Sequence, residues 1–407
     1  MQFHVLGLGS IGTLLAHHLR RAIPAEHSIT LIHKFRSIAE HTLASGNLIR
    51  VEKNGVITSS SGFQVDAFDT LPPDSRAPSM TPEPRSEHEP YRNFHTPIDS
   101  LFVATKAHQA VNAITKLVPR LSANSTIVLF QNGMGLYEEL AHRVFQTPEQ
   151  RPHFILASVT HGAFNKGTRH VVHTGSGAIE FGVIRNPARN FEASLEDESL
   201  PRYERQLQLN DITTSQDPDF ARYKSLRDTV AALLLLDPLH TIWKPIHEMQ
   251  VILRRKLVVN AVINPLTAIM GCRNGDLLIS PAAHRLMNSV CYEAAQAFTA
   301  EYQSETDQWV NRLGAQGVDV NTVSATRLPE KLTKTALGEE VLKVASATRG
   351  NISSMLSDVR RGSPTEIDYI NGYLLELGRA HGVRMPTNAT LLNLVKMRSH
   401  IPLDQQL

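Results

Sequence analysis

FHVLGLGSIGTLLA, residues 3–16, decides the fold of this chain. A short apolar run, Phe3 to Leu6, meets Gly7-Leu8-Gly9-Ser10-Ile11-Gly12, and leucines at helical spacing follow. Strand, glycine turn and helix in that order form the dinucleotide-binding fingerprint. Gly7 permits the tight turn, Gly9 lets backbone N–H groups approach a pyrophosphate, and Gly12 lets the helix pack on the strand. Leu8, Ser10 and Ile11 complete a loop that presents phosphates to the positive end of the helix dipole. The plainer account is a strand-to-helix turn that binds nothing. Working outward, the run Ser28 to Ile32 reads as a second strand and ends in His33-Lys34-Phe35-Arg36. An NAD site carries Asp or Glu about 20 residues past the glycines to bond the ribose 2′-hydroxyl. Cations stand here instead, so Lys34 and Arg36 suit a 2′-phosphate and the expected cofactor is NADP(H); a solvated basic turn is the alternative.

Two further apolar runs strengthen that reading. Ser100 to Ala104 precedes Thr105-Lys106-Ala107-His108-Gln109, and Thr126 to Phe130 precedes Gln131-Asn132-Gly133-Met134-Gly135. In a doubly wound sheet ligands gather beyond the carboxyl ends of the strands. The glycine turn, Lys34, Lys106 and Asn132 all follow strand ends, and so fit one cleft. Ile155 to Val159, followed by Thr160-His161-Gly162-Ala163, reads as one more strand and its exit, with His161 structural. Val171–His173 and Ala178–Val183 read as a hairpin.

At 407 residues two domains are expected. Residues 1–247 read as an α/β Rossmann-type doubly wound domain and 248–407 as an all-α domain, the active site lying in the cleft between them. Segments 71–97 and 186–222 are polar or poorly periodic and read as insertions. A net charge of +2 argues against nucleic acid as a partner, and two cysteines offer neither a disulfide framework nor a zinc spacing. No run of 18 apolar residues suggests a membrane span, and no basic leader precedes the first strand. The cytoplasm is the expected compartment, with the mitochondrion left open.

The second domain opens on RRKLVVNAVINPLTAI, residues 254–269, in which Lys256, Asn260 and Asn264 stand four apart. On a helix they make one polar stripe through an otherwise apolar surface. A lysine snorkelling to solvent is the plain account, since an unpaired buried one is costly. Near the C-terminus Ser363-Pro364-Thr365-Glu366 has the form of a capping box, in which Glu366 bonds back to the Ser363 N–H.

The glycine turn, TKAHQ, QNGMG, RRKLVVNAVINPLTAI, CRNGDL, NISSMLSDVRRGSPTEIDYINGYLL and AHGVRMP, in that order, resemble the ketopantoate reductase (2-dehydropantoate 2-reductase) family across nearly the whole chain. The resemblance implies NADPH-dependent reduction of 2-dehydropantoate to (R)-pantoate, on the way to pantothenate and coenzyme A. It implies Lys256 as general acid, and Asn260, Asn264, Asn274 and Ser354 as substrate contacts. Glu366 would bond the substrate hydroxyl and orient the lysine. Lys106, Asn132 and the Ala163 backbone would touch the cofactor, with Asn132 also keeping the nicotinamide or the lysine in line. Where the family usually places an Arg for the ribose phosphate, this chain has Lys34, so Lys34 or Arg36 takes that task. The expected partners are a small-molecule 2-keto acid and, as an oligomeric option, a second copy of the chain. Reduction of another branched 2-keto acid, or a non-catalytic interaction protein that keeps the fold, are the alternatives.

Overall fold

The computed structural model describes residues 1–68, 96–316 and 327–401. The segment expected as an insertion at 71–97 lies, but for its last two residues, outside them. Two compact units are present: Met1–Gln131 with Leu136–Met249, and Asn132–Gly135 with Gln250–Leu407.

In the first unit β1 (Gln2–Leu6) leads into α1 (Ser10–Ala22), then β2 (Ser28–His33), α2 (Arg36–Ala44), β3 (Ile49–Lys53), β4 (Val56–Ser60) and β5 (Gln64–Ala67). After the undescribed stretch come β6 (Ser100–Val103), α3 (Ala107–Leu117), β7 (Thr126–Leu129), α4 (Leu136–Arg143) and β8 (His153–Val159). Next are β9 (Gly162–Gly167), β10 (His170–Gly175), β11 (Ile179–Val183), the single turns α5 (Ala193–Glu196) and α6 (Leu209–Ile212), α7 (Phe220–Leu234) and β12 (Thr241–Trp243). One sheet has the order β12-β11-β8-β7-β6-β1-β2-β5. From β5 to β8 its strands run parallel, and β11 turns antiparallel to β8. Every residue of β6 and β7 is buried, as continuous apolar strands covered on both faces must be.

A smaller sheet, β4-β3-β10-β9, packs on α1. It overturns the expected hairpin, because β10 pairs with β3 and β9 while β11 joins the large sheet. The Gly-rich link Gly175–Gly177 is a crossing between sheets; sequence spacing alone cannot separate that from a tight turn. Segment 186–222, expected as an insertion, also contributes to the core. Phe191 and Ile212 enter the core, and the Glu192 carboxylate accepts the Ile246 N–H at 2.6 Å.

The second unit is helical. Its centre is α8 (Ile246–Met270), which starts in the first unit and is apolar on nearly every side, so burial rather than one amphipathic face explains it. Around it lie α9 (Pro281–Ala315), α10 (Lys334–Ala347), α11 (Ser354–Arg360), α12 (Tyr373–Ala380) and α13 (Pro386–His400). The runs read as separate near 281–302 and 306–315 are one 35-residue helix, α9. No strand occurs among the described residues after β12, and no described helix is long and apolar enough to cross a membrane.

Candidate active site

The first unit offers mainly main chain at its strand ends. Parallel pairing sets the ends of β2, β1, β6 and β7 side by side. Gly7 has φ +94°, and a Cβ there would lie 2.4 Å from the Thr105 nitrogen; one on Gly12 would lie 2.0 Å from the Gly7 oxygen. Those two glycines are therefore required by the fold itself. Gly9 is different. A Cβ on it would meet no atom of the described residues within 4 Å, so none of them calls for a glycine at that place. Gly9 caps α1 without a side-chain acceptor, and the first turn holds no acid, which leaves the helix dipole open to an anion. Beside it, Gln131 Nε2 donates to the Val103 and Thr105 carbonyls at 2.9 and 3.2 Å. Its own Oε1, Thr105 Oγ1 and both ring nitrogens of His108 are buried and find no hydrogen-bond partner among the described residues. Buried polar atoms are ordinarily satisfied, so this edge fits a polar ligand that approaches the backbone, as a dinucleotide does. Sequence reading missed Thr105, His108 and Gln131, although all three stand in the quoted TKAHQ and QNGMG runs.

Lys34 and Arg36 are exposed at the end of β2. The Lys34 ammonium lies 5.0 Å from the Phe35 ring centre, and Arg36 is engaged by Glu40 at 3.1 Å. Lys106 is the residue before α3. Ala163 stands apart from the row of strand ends, on β9 opposite His173. His161 is structural, as read: its Nε2 faces the Leu239 carbonyl at 2.9 Å, and its Nδ1 receives the Gly177 N–H at 3.0 Å. His17 and His18, on α1, are held to low pKa values, about 4 and about 3, chiefly by burial.

The second unit offers side chains on α8. Of three adjacent cations, Arg254 pairs with Glu301 at 2.9 Å and Arg255 with Glu340 at 2.7 Å, fixing the helix against α9 and α10. Lys256, next in sequence, and Asn260, about one turn further, are half-buried, and Asn264, a turn beyond that, is buried. Thr267 Oγ1 donates to Ser353 Oγ at 2.7 Å, and Ser353, not Ser354, caps α11. Ser354 opens that helix and is exposed. Asn274 is buried; its N–H donates to Asn351 O at 3.1 Å and its Nδ2 to Thr348 Oγ1 at 2.9 Å. That leaves Asn274 Oδ1 buried with no hydrogen-bond partner among the described residues, an acceptor suited to a hydroxyl.

The capping box read at Ser363 does not form. The helical turn starts only at Ile367, and the Ser363 N–H donates to Asp358 O at 2.9 Å. Glu366, 5% exposed, stands just before that turn. Its carbonyl accepts the Tyr369 N–H at 3.0 Å, and Asn371 reaches Ala261 on α8 at 3.0 Å, beside Asn260. Asn132 belongs to the second unit, since Met134 N donates to Tyr369 O at 3.0 Å. Asn132, Asn274, Ser354 and Glu366 thus sit on segments bonded to one another or to α8. Among the described residues no group of three or more His, Cys, Asp or Glu could hold a metal ion.

Similarity to known proteins identifies a family for the chain. A family model described as ketopantoate reductase PanE/ApbA matches residues 3–186, and one described as its C-terminal part matches 248–399. The 2-dehydropantoate 2-reductase of Escherichia coli O157:H7 is 32% identical over 308 residues, covering 75% of this chain and 76% of that one. A probable 2-dehydropantoate 2-reductase of Schizosaccharomyces pombe is 26% identical over 396 residues, covering 97% and 95%. Among solved structures, D-mandelate dehydrogenase with NADH and anilino(oxo)acetate shares the fold, with a TM-score of 0.63 at 16% identity over 98% of each chain.

Proposed function

The chain belongs to the ketopantoate reductase family, oxidoreductases that use a nicotinamide dinucleotide, and on that premise we propose that it reduces 2-dehydropantoate to (R)-pantoate with NADPH. The observation that carries this reading is Glu366: a buried carboxylate on a segment bonded to the helix of Lys256, Asn260 and Asn264.

In this reading the glycine turn and the N-terminus of α1 hold the pyrophosphate, and Lys34 or Arg36 meets the 2′-phosphate. Lys106, Asn132 and the Ala163 backbone contact the rest of the dinucleotide. A bound reduced nicotinamide supplies the hydride. The ketone oxygen gains negative charge as the carbonyl carbon is reduced, and the Lys256 ammonium stabilises that charge where it develops and then gives its proton. Glu366 favours the charged form of the lysine and accepts from the substrate hydroxyl. Asn260, Asn264, Asn274 and Ser354 bond carboxylate and hydroxyl groups without adding charge, so the cation remains the dominant charge near the oxygen.

Oxidation of NADPH by purified protein with 2-dehydropantoate, followed by absorbance, tests the proposal. A panel of branched 2-keto acids in the same assay fixes the substrate. Absence of turnover with every member of the panel would sink the reading.

A further inference from the structure

Ala261 lies four residues before Pro265 in α8. In a helix its carbonyl would take the N–H of residue 265, and proline has none. The vacancy is filled from outside the helix: Asn371 Nδ2 donates to Ala261 O at 3.0 Å and to Asn388 Oδ1 at 3.0 Å. Asn371 and Asn388 are both 0% exposed. Asn388 in turn donates through its Nδ2 and its backbone N–H to Glu293 Oε2 at 2.8 and 3.0 Å, and Thr387 N–H donates to Glu293 Oε1 at 2.8 Å. A carboxylate can only accept here, so the amide of Asn388 must point its nitrogen at Glu293 and its oxygen at Asn371. Both amide orientations are thereby dictated, from Glu293 to the helix carbonyl.

Asn371 lies in a π-helical turn, Asp368–Gly372, a form that recurs at functional sites. On one side of that turn Tyr369 N–H bonds Glu366 O at 3.0 Å; on the other Tyr369 O receives Met134 N–H at 3.0 Å. A Cβ on Gly133 would lie 2.3 Å from Tyr369 O, so the turn and the loop of Asn132 are in close contact.

We propose that Pro265 and Asn371 form a tether that holds the Glu366 turn and the Asn132 loop on the helix of Lys256, Asn260 and Asn264, and that Asn371 is a positioning residue for the reduction. The proposal rests on the reductase reading for its effect on rate. Its geometry can be tested without substrate.

Asn371→Ala should lower kcat on the order of 10–100-fold with the KM for NADPH unchanged, since small misplacements of reacting groups cost that much. Its melting temperature should also fall, because a buried carbonyl is orphaned. Adding Pro265→Ala gives Ala261 O a donor from within the helix, so the melting temperature should recover while kcat stays low. A kcat that recovers together with stability, or that never fell, overturns the proposal, because a merely structural contact predicts those results. Amide hydrogen exchange on the double variant gives the second readout. Exchange at 366–372 should rise while 257–264 stay protected, and unchanged exchange at 366–372 likewise overturns the tether. Wild-type protein that fails to oxidise NADPH with every 2-keto acid sinks the reductase reading alone, and the exchange result still decides the tether.

Discussion

The two units are built to meet small molecules by opposite means. The first offers main chain: a glycine turn, a helix N-terminus and strand ends whose side-chain acceptors are left unsatisfied. The second offers side chains, an ammonium and several amides standing on or bonded to one buried helix. A main-chain site is damaged by adding atoms and a side-chain site by removing them. Substitutions of opposite kind therefore probe the two units.

Removing the ammonium should have the largest effect. Lys256→Ala is expected to lower kcat at least about 10²-fold with little change in NADPH affinity, since its interaction forms mainly in the transition state. Steady-state rates within a few-fold of wild type would refute the acid role. Adding atoms to the first unit should come next. Gly9→Val is expected to weaken NADPH binding by on the order of tenfold or more with the melting temperature unchanged, because the side chain meets ligand rather than protein. Gly12→Ala should do the reverse and cost about 1–3 kcal/mol or more of stability, since its Cβ meets the Gly7 carbonyl. Equal loss of stability in both would erase the distinction between ligand-facing and fold-facing glycines.

Smaller effects sharpen the comparison. Asn274→Ala should raise the KM for the keto acid about tenfold, the worth of one hydrogen bond. With Arg36 engaged by Glu40, Lys34→Ala should weaken NADPH by about tenfold and leave NADH unaffected in a fluorescence titration. Acid should act on the first unit. Burial, aided by Arg120 and Arg222, lowers His4 to about 3 and His153 to about 4 from 6.5. Both stay neutral when folded, while the unfolded chain takes up protons below about pH 6.5. Stability is thus full above that pH and falls as pH drops toward 4, with a slope approaching about 1.4 kcal/mol per pH unit for each histidine. Trp243 lies in the first unit and Trp309 in the second, so Trp309→Phe protein reports the first by fluorescence. Melting of that signal that ignores pH between 7 and 5 would contradict the histidine account.

Much of this was legible in the sequence, unevenly. The strand–turn–helix opening and the spacing of Lys256, Asn260 and Asn264 are local patterns, and local patterns survive in one dimension. The β10–β11 hairpin failed because two strands close in sequence can enter different sheets, and spacing does not record which edge is open. In segment 186–222, read as an insertion, charge hid the few apolar residues that enter the core. Ser363 to Glu366 matched a capping box in every residue, yet Asp358 O took the Ser363 N–H and the helix began later.

By itself the sequence determined the order of elements, the glycine turn and the row of polar groups along α8, because these depend on residues within a turn or two of each other. Only the tertiary structure decided that Arg254 and Arg255 are bound into ion pairs with α9 and α10, that Gly9 faces no atom of the described residues, and that Asn371 fills the vacancy Pro265 leaves. Each of those depends on a hydrogen bond, ion pair or open space set by residues distant along the chain, and such partners are chosen by packing.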